Sequence, residues 1–187
     1  MSRSNSDYIV WIDTELTGLD VERDTILEIA CLITDKDLII KSEEFNVVIN
    51  QPGSILGSMD EWNTTHHTET GLIYESQSSK MDLKDAEEML LNFLKEYVPE
   101  GCCPLAGNTV YMDRLFLLKW MPLVNSYNSY RIIDVSSVKE LVRRWNPRIY
   151  ENAPEKQLVH RALPDIKESI QELKYYKENI FIPSIVY

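Results

Sequence analysis

No run of apolar residues in this chain is long enough to span a bilayer, which takes about 20. The longest stretch, Leu115–Val124, is interrupted by Lys119 and Pro122. Met1–Asp7 is polar with Arg3 as its one basic residue, so neither a secretory signal nor an Arg-rich transit segment is expected there. Cysteine is scarce. Cys31, Cys102 and Cys103 form no Cys-x-x-Cys and leave one thiol over in any pairing, which disfavours a disulfide framework and a zinc site. A reducing compartment, the cytoplasm, is the expectation. Internal repeats are missing. Basic residues are in deficit, 19 Lys and Arg against 30 Asp and Glu, for a net charge of −11. Proteins that track long nucleic acids usually spend one cation on each phosphate contact. The deficit disfavours that mode but not a grip on one or two nucleotides, because a metal site made of carboxylates is acidic by construction.

What is present suits a single domain over residues 1–187. Tyr8–Ile12 and Ile26–Thr34 read as buried strands. Leu38–Ile40 and Phe45–Ile49 read as a returning antiparallel strand with a kink between. Ser58 and Glu61 have the spacing of a capping box and predict a short helix. Leu83, Ala86, Leu90, Phe93, Leu94 and Tyr97 recur at helical period, predicting a helix over Asp82–Tyr97. Short strands are expected at Pro104–Ala106 and Arg131–Asp134. Helices are expected at Tyr111–Met121, from Ser137 to Trp145, and from Pro164 to Glu178, while Arg148–Val159 reads as loop. Early hairpin pairing followed by alternating helix and strand predicts an α/β fold, a mixed five-stranded sheet with helices on both faces. In such sheets ligands sit at the carboxyl ends of strands, where Asp13 and Glu15 lie.

Side chains alternate along a strand, so Asp13 and Glu15 point the same way. The pair alone equally fits a solvated strand end. Asp113 is more informative, because Phe116, Leu117 and Trp120 follow it at helical spacing. A carboxylate on such a face is costly to bury unless paired or metal-bound. His160 and Asp165 are five residues apart, about 500° on a helix, and so cannot share a helical face. Pro164 resolves this by suiting the first helical position, with His160 on the lead-in and Asp165 in the first turn; taken singly, Asp165 better fits a helix-dipole partner and His160 a surface imidazole beside Arg161. Four carboxylates with no sulfur suit two divalent ions, Mg²⁺ or Mn²⁺, and phosphodiester hydrolysis. A neutral histidine beside them can take the proton from the attacking water, with a rate that rises with pH through its pKa.

The string Ile9-Val-Trp-Ile-Asp13-Thr-Glu15-Leu-Thr-Gly18-Leu19 resembles the first motif of the DEDD superfamily of 3′→5′ exonucleases. Gly107-Asn-Thr-Val-Tyr-Met-Asp113 resembles its second motif. His160-Arg-Ala-Leu-Pro-Asp165 resembles its third, in the His-containing subclass. Tyr130-Arg-Ile-Ile-Asp134-Val-Ser136 and Lys139-Glu-Leu with Arg143-Arg-Trp-Asn-Pro147 narrow the resemblance to the oligoribonuclease family.

The resemblance implies a ribonuclease-H-like fold, a homodimer, and release of 5′-mononucleotides from very short RNA. It places the metal-ligand role on Asp13, Glu15, Asp113 and Asp165 and the general-base role on His160. Leu19, Trp62 and His67 would contact bases. Tyr130, Arg131 and Ser136, with the hydroxyl of Thr109 where Ser is usual, would grip the terminal phosphate, Tyr130 reaching the partner subunit's site. An apolar wedge and an aromatic give a stacking platform, although core packing explains Trp62 equally well. Thr14 and Leu16 stand where Leu and Met are usual, and a small effect is expected of them. Thr68 stands where Gly is common, and Pro164 where Asp is usual. Two other readings share these residues: a general 3′→5′ exonuclease on longer RNA or DNA, and a nucleotide-binding module without catalysis.

Overall fold

Every residue of Ile26–Thr34 is buried, because this strand lies inside a sheet covered on both faces. The computed structural model describes residues 7–155 and 160–181. The polar N-terminus read above, up to residue 6, and residues 156–159 of the stretch expected as loop lie outside these. In chain order the elements are β1 (Ile9–Leu16), β2 (Ile26–Thr34), β3 (Phe45–Val48), α1 (Gly53–Leu56), α2 (Glu61–Glu69), α3 (Leu72–Ser78) and α4 (Leu83–Tyr97). There follow β4 (Leu105–Gly107), α5 (Val110–Trp120), α6 (Pro122–Tyr127), β5 (Ile132–Asp134), α7 (Val135–Trp145), α8 (Pro147–Glu151) and α9 (Ala162–Asn179).

The sheet order is β3-β2-β1-β4-β5, with β1 antiparallel to β2, β2 antiparallel to β3, and β4 and β5 parallel to β1. This is the expected mixed sheet. Strand alternation divides the core in two. Val10, Ile12, Ile29, Cys31 and Ile33 pack with Leu90 and Leu94 of α4 and with Phe116 and Leu117 of α5. Ile9, Trp11, Ala30 and Leu32 pack with Val142 of α7 and with Ile166, Ile170 and Tyr176 of α9.

Several boundaries differ from expectation, each for a local reason. Strand β1 continues past Ile12 to Leu16, because its pairing with β2 runs on as Asp13↔Ala30 and Glu15↔Glu28. Leu38–Ile40 contributes one isolated bridge, Thr34↔Ile40, since Leu38 at φ +65° breaks the extended chain. Ser58 caps no helix. Its hydroxyl donates to the Ile55 carbonyl at 2.7 Å, and Asp60 caps α2 by accepting from Asn63 N at 2.8 Å. Asp134 likewise takes the cap expected of Ser137, accepting from Ser136 N at 2.9 Å and Ser137 N at 3.3 Å. Pro147 opens α8 inside the stretch expected as loop, and Pro122 opens α6. Pro164 is the third residue of α9, not the first. Its missing N–H still costs nothing there, as the first four are without intrahelical partners.

Candidate active site

Strand β4 pairs with β1 only at Val10 and Trp11, so β1 runs on beyond it. The projecting part carries Asp13 and Glu15 on the face covered by α9 and Thr14 on the opposite face. Asp165, in the first turn of α9, meets the first two. Carboxylate oxygens of Asp13, Glu15 and Asp165 lie within 4.8 Å of one another. Asp113 arrives from α5, on the far face of the sheet, and is buried among its apolar neighbours as expected. Its Oδ1 accepts from Thr14 N at 2.9 Å and from Thr14 Oγ1 at 2.6 Å. Thr14, expected to matter little, therefore holds a carboxylate of the cluster directly.

The electrostatics are those of an acidic cluster in want of a cation. Burial, then the charges of Asp113, Glu15, Asp165 and Glu28, push the Asp13 carboxyl well above the carboxylate range. Burial, then Asp165 and Glu28, push Glu15 up to about 8, while Arg161 pulls the other way. Burial pushes Asp113 up to about 7 against the hydrogen bonds from Thr14. Carboxylate oxygens alone, drawn together and mutually repelled, suit hard divalent ions. The donor set fits the expected metal.

His160 stands just before α9 at φ +53°, its ring edge-on to Trp62 at 5.7 Å and to His66 at 5.0 Å. Trp62 is more than half exposed and stacks on His66 at 4.0 Å. His66 Nδ1 donates to the Trp62 carbonyl at 2.7 Å, as the helical spacing of the two allows. His66 is not among the residues expected at the site. Its signal was visible, an imidazole four residues after Trp62. Leu19 is 70% exposed on the loop after β1.

His67 is placed differently from expectation. It is 1% exposed and offers no face on which a base could stack. Its Nε2 donates to the Leu16 carbonyl at 2.9 Å, and its Nδ1 lies 3.9 Å from Glu15 Oε2. Burial lowers its pKa.

Thr109 and Ser136 meet at the carboxyl ends of β4 and β5. Their hydroxyls are 3.1 Å apart, and Ser136 Oγ donates to Asn108 Oδ1 at 3.1 Å. Both line a cleft of about 490 Å³ with Tyr111, Asp134 and Arg144. Tyr130 and Arg131 are not brought to this end. Arg131 precedes β5, and it lines a different cleft with Asp7, Tyr8 and Lys36. The rise of about 3.3 Å per strand residue puts the level of Ile9 roughly 13 Å from that of Asp13. Arg131 stacks on Tyr130 at 5.4 Å instead, and Tyr130 is 79% exposed.

The exonuclease family that includes RNase T matches residues 10–173. Among known proteins, a probable oligoribonuclease of Drosophila melanogaster is 53% identical over 173 residues, covering 92% of this chain and 82% of its own. A mitochondrial oligoribonuclease of Bos taurus is 52% identical over 178 residues, covering 95% and 75%. An oligoribonuclease of Shewanella loihica is 48% identical over 173 residues, covering 92% and 95%. Among solved structures, Pop2p of S. pombe in its Mg²⁺- and Mn²⁺-bound form superposes with a TM-score of 0.69 at 15% identity, over 95% of this chain and 85% of that one. Exonuclease I of Methylocaldum szegediense gives 0.67 at 17% identity over 92% of this chain, which spans 41% of the larger protein. The fold is thus the ribonuclease-H-like fold of exonucleases. With an exonuclease match over most of its length and relatives about half identical throughout, the chain belongs to the oligoribonuclease family of the DEDD exonucleases and is a nuclease.

Proposed function

We propose that this protein hydrolyses very short RNA from the 3′ end, dinucleotides above all, releasing 5′-mononucleotides with two divalent ions and a histidine base. The observation that carries the reading is the convergence of Asp13, Glu15 and Asp165 within 4.8 Å, with Asp113 fixed alongside by Thr14. These four carboxylates would hold Mg²⁺ or Mn²⁺, which when bound neutralise phosphate charge and acidify water. His160, tethered just before the helix that carries Asp165, accepts the proton of the attacking water. The water oxygen bonds to phosphorus as the 3′-oxygen of the preceding nucleotide leaves. Leu19 and the exposed ring of Trp62 offer the two apolar surfaces between which bases stack. Thr109 and Ser136 supply hydroxyls for the terminal phosphate. His67 serves as buried support for the chain at Leu16 rather than as a base contact.

The placement of Tyr130 and Arg131 supports a homodimer. In their own subunit they lie at the wrong end of the sheet, so a phosphate grip that uses them draws on a second copy. The edge strand β5 and its surroundings expose Tyr111, Leu115, Leu118, Leu123, Ile132, Leu141 and Trp145, a surface suited to such a contact. The chain works as one domain, and its three free thiols suit a reducing compartment such as the cytoplasm. Among the described residues no helix is long and apolar enough to cross a membrane.

A time course on 5′-labelled RNA tests the reading, with a dinucleotide, a pentamer and a long strand, in Mg²⁺ or Mn²⁺ and in chelator. Fast, metal-dependent cleavage of the dinucleotide and slow cleavage of the long strand are expected. Equal rates on all three would make it a general exonuclease. Metal binding without product would leave a nucleotide-binding module.

A further inference from the structure

His160 holds a left-handed backbone conformation, which disfavours a residue with a Cβ and persists only where neighbours enforce it. The next residue is anchored on two sides. Arg161 Nε and Nη2 donate to Glu28 Oε2 and Oε1, both at 2.9 Å. Its Nη1 and Nη2 donate to Glu75 Oε1 and Oε2 at 3.1 and 2.7 Å. Glu28 is wholly buried on β2, directly opposite Glu15, and also accepts from Asn46 Nδ2 at 2.9 Å and Ala162 N at 3.3 Å. Glu75 belongs to α3, the helix that follows α2 with its Trp62 and His66. One guanidinium therefore ties together the sheet, the α2–α3 arm and the start of α9.

A buried ion pair is a poor device for stability alone, since desolvation offsets most of the attraction, and its best use is to fix one arrangement among several. The arrangement fixed here is specific. The His160 ring meets Trp62 and His66 of the arm on one side of Arg161, and Asp165 meets Asp13 and Glu15 on the other. A planar fork can bridge two carboxylates bidentately, whereas a lysine point charge cannot.

We propose that Arg161 is a positioning residue for the reaction, its double fork to Glu28 and Glu75 holding the His160 bend and the α2–α3 arm in register with the carboxylates of β1. The kinetic half of this inference rests on the function proposed above. Its structural half does not.

The test centres on Glu75→Gln. That side chain is two-fifths exposed, so the substitution should leave the buried Glu28–Arg161 pair and the fold intact. Expected on a dinucleotide with Mn²⁺ is a fall in kcat of about tenfold, with KM within about twofold of wild type. Arg161→Lys should do the same, and the double variant should be no slower than Arg161→Lys alone, as members of one unit combine non-additively. The second readout needs neither metal nor substrate. The chain has three histidines, so the ring-proton NMR signal of His160, displaced by the edge-on Trp62, is assignable by His160→Gln. In Glu75→Gln it should move toward the position of a solvated histidine at an unchanged melting temperature. A signal that stays in place overturns the inference, whatever kcat does. A moved signal with wild-type kcat overturns the role in the reaction. A wild-type protein inert toward dinucleotides would overturn the proposed function, and the NMR signal would still decide whether the clamp exists.

Discussion

Burial and mutual repulsion set the chemistry of single residues at the end of β1. Glu15 is the clearest case, with a carboxyl pushed up to about 8 from an ordinary 4.5. In the unfolded chain that group ionises near its ordinary value, so between the two values the folded state holds a proton that the unfolded state has lost. Stability from this source is complete below about pH 4.5 and is lost as pH rises through 8. Asp113, raised to about 7, acts in the same direction. In chelator, the melting temperature should therefore fall by several degrees between pH 5 and pH 8. Saturating Mn²⁺ should restore it at pH 8, because a cation bound to the folded state stabilises it. Glu15→Gln should raise the metal-free melting temperature at pH 8 and abolish hydrolysis. Calorimetry showing a flat profile in chelator, or a destabilised Glu15→Gln, would mean that the cluster is not under repulsion. The positions of these carboxylates were legible in the sequence because strand alternation, an apolar helix face and a proline at a helix start are local patterns, although the pair on β1 alone did not single out a site. Thr14 and Arg161 were not. Their partners lie 99 and 133 residues away, and a threonine or an arginine in isolation does not reveal which carboxylate it will meet.

At the scale of elements, the site depends on how closely β4 approaches β1 before the chain turns into α5. Gly107 ends β4, and a Cβ there would lie 2.8 Å from the Ile12 carbonyl oxygen. Neither backbone can yield without moving Asp13, the next residue of β1. Gly107→Ala should thus cost about 1–3 kcal/mol of stability, as overpacking does, and lower kcat more than KM. A variant with wild-type stability and rate would show that the two strands separate freely. Long elements with strong periodicity were read correctly, such as β2 and the helix α4. The differences concern short elements, some unannounced, such as α6 and α8, and others with a displaced start. Ser58 and Ser137 each have a Glu three residues on, yet Asp60 and Asp134 cap the helices. An aspartate at the point where the chain leaves its previous direction accepts from the first free N–H groups, and a capping pattern two or three residues away then has none to serve. For α7 the cap is itself the last residue of β5, a direct junction that no loop signal announces.

At the scale of the whole molecule, one sheet has its acidic cluster at one end and the Tyr130–Arg131 pair at the other. A two-fold dimer in which each subunit presents the same surface reconciles the two, since such symmetry lets residue i of one copy serve residue j of the other in both directions. In the proposed dimer the exposed apolar residues on α5, β5 and α7 would offer the contact. Leu118→Glu should place a charge in that contact, giving a monomer by sedimentation and a loss of activity on dinucleotides of at least about tenfold, with Mn²⁺ affinity unchanged. Mixing two defective proteins decides the point more sharply. Arg131→Ala keeps its carboxylates and lacks the cation, while Asp113→Asn keeps the cation and lacks a carboxylate. Each should be nearly inactive alone. If Arg131 serves the partner subunit's site, a mixed dimer contains one site with both groups intact and one with neither. Random exchange of subunits at equal amounts makes half the dimers mixed, so about a quarter of wild-type activity should return. If Arg131 serves its own site, no intact site can form and mixing restores nothing. Recovery on mixing that disappears when Leu118→Glu is added to both proteins would tie the phosphate grip, the apolar surface and the limit to short RNA into one assembly.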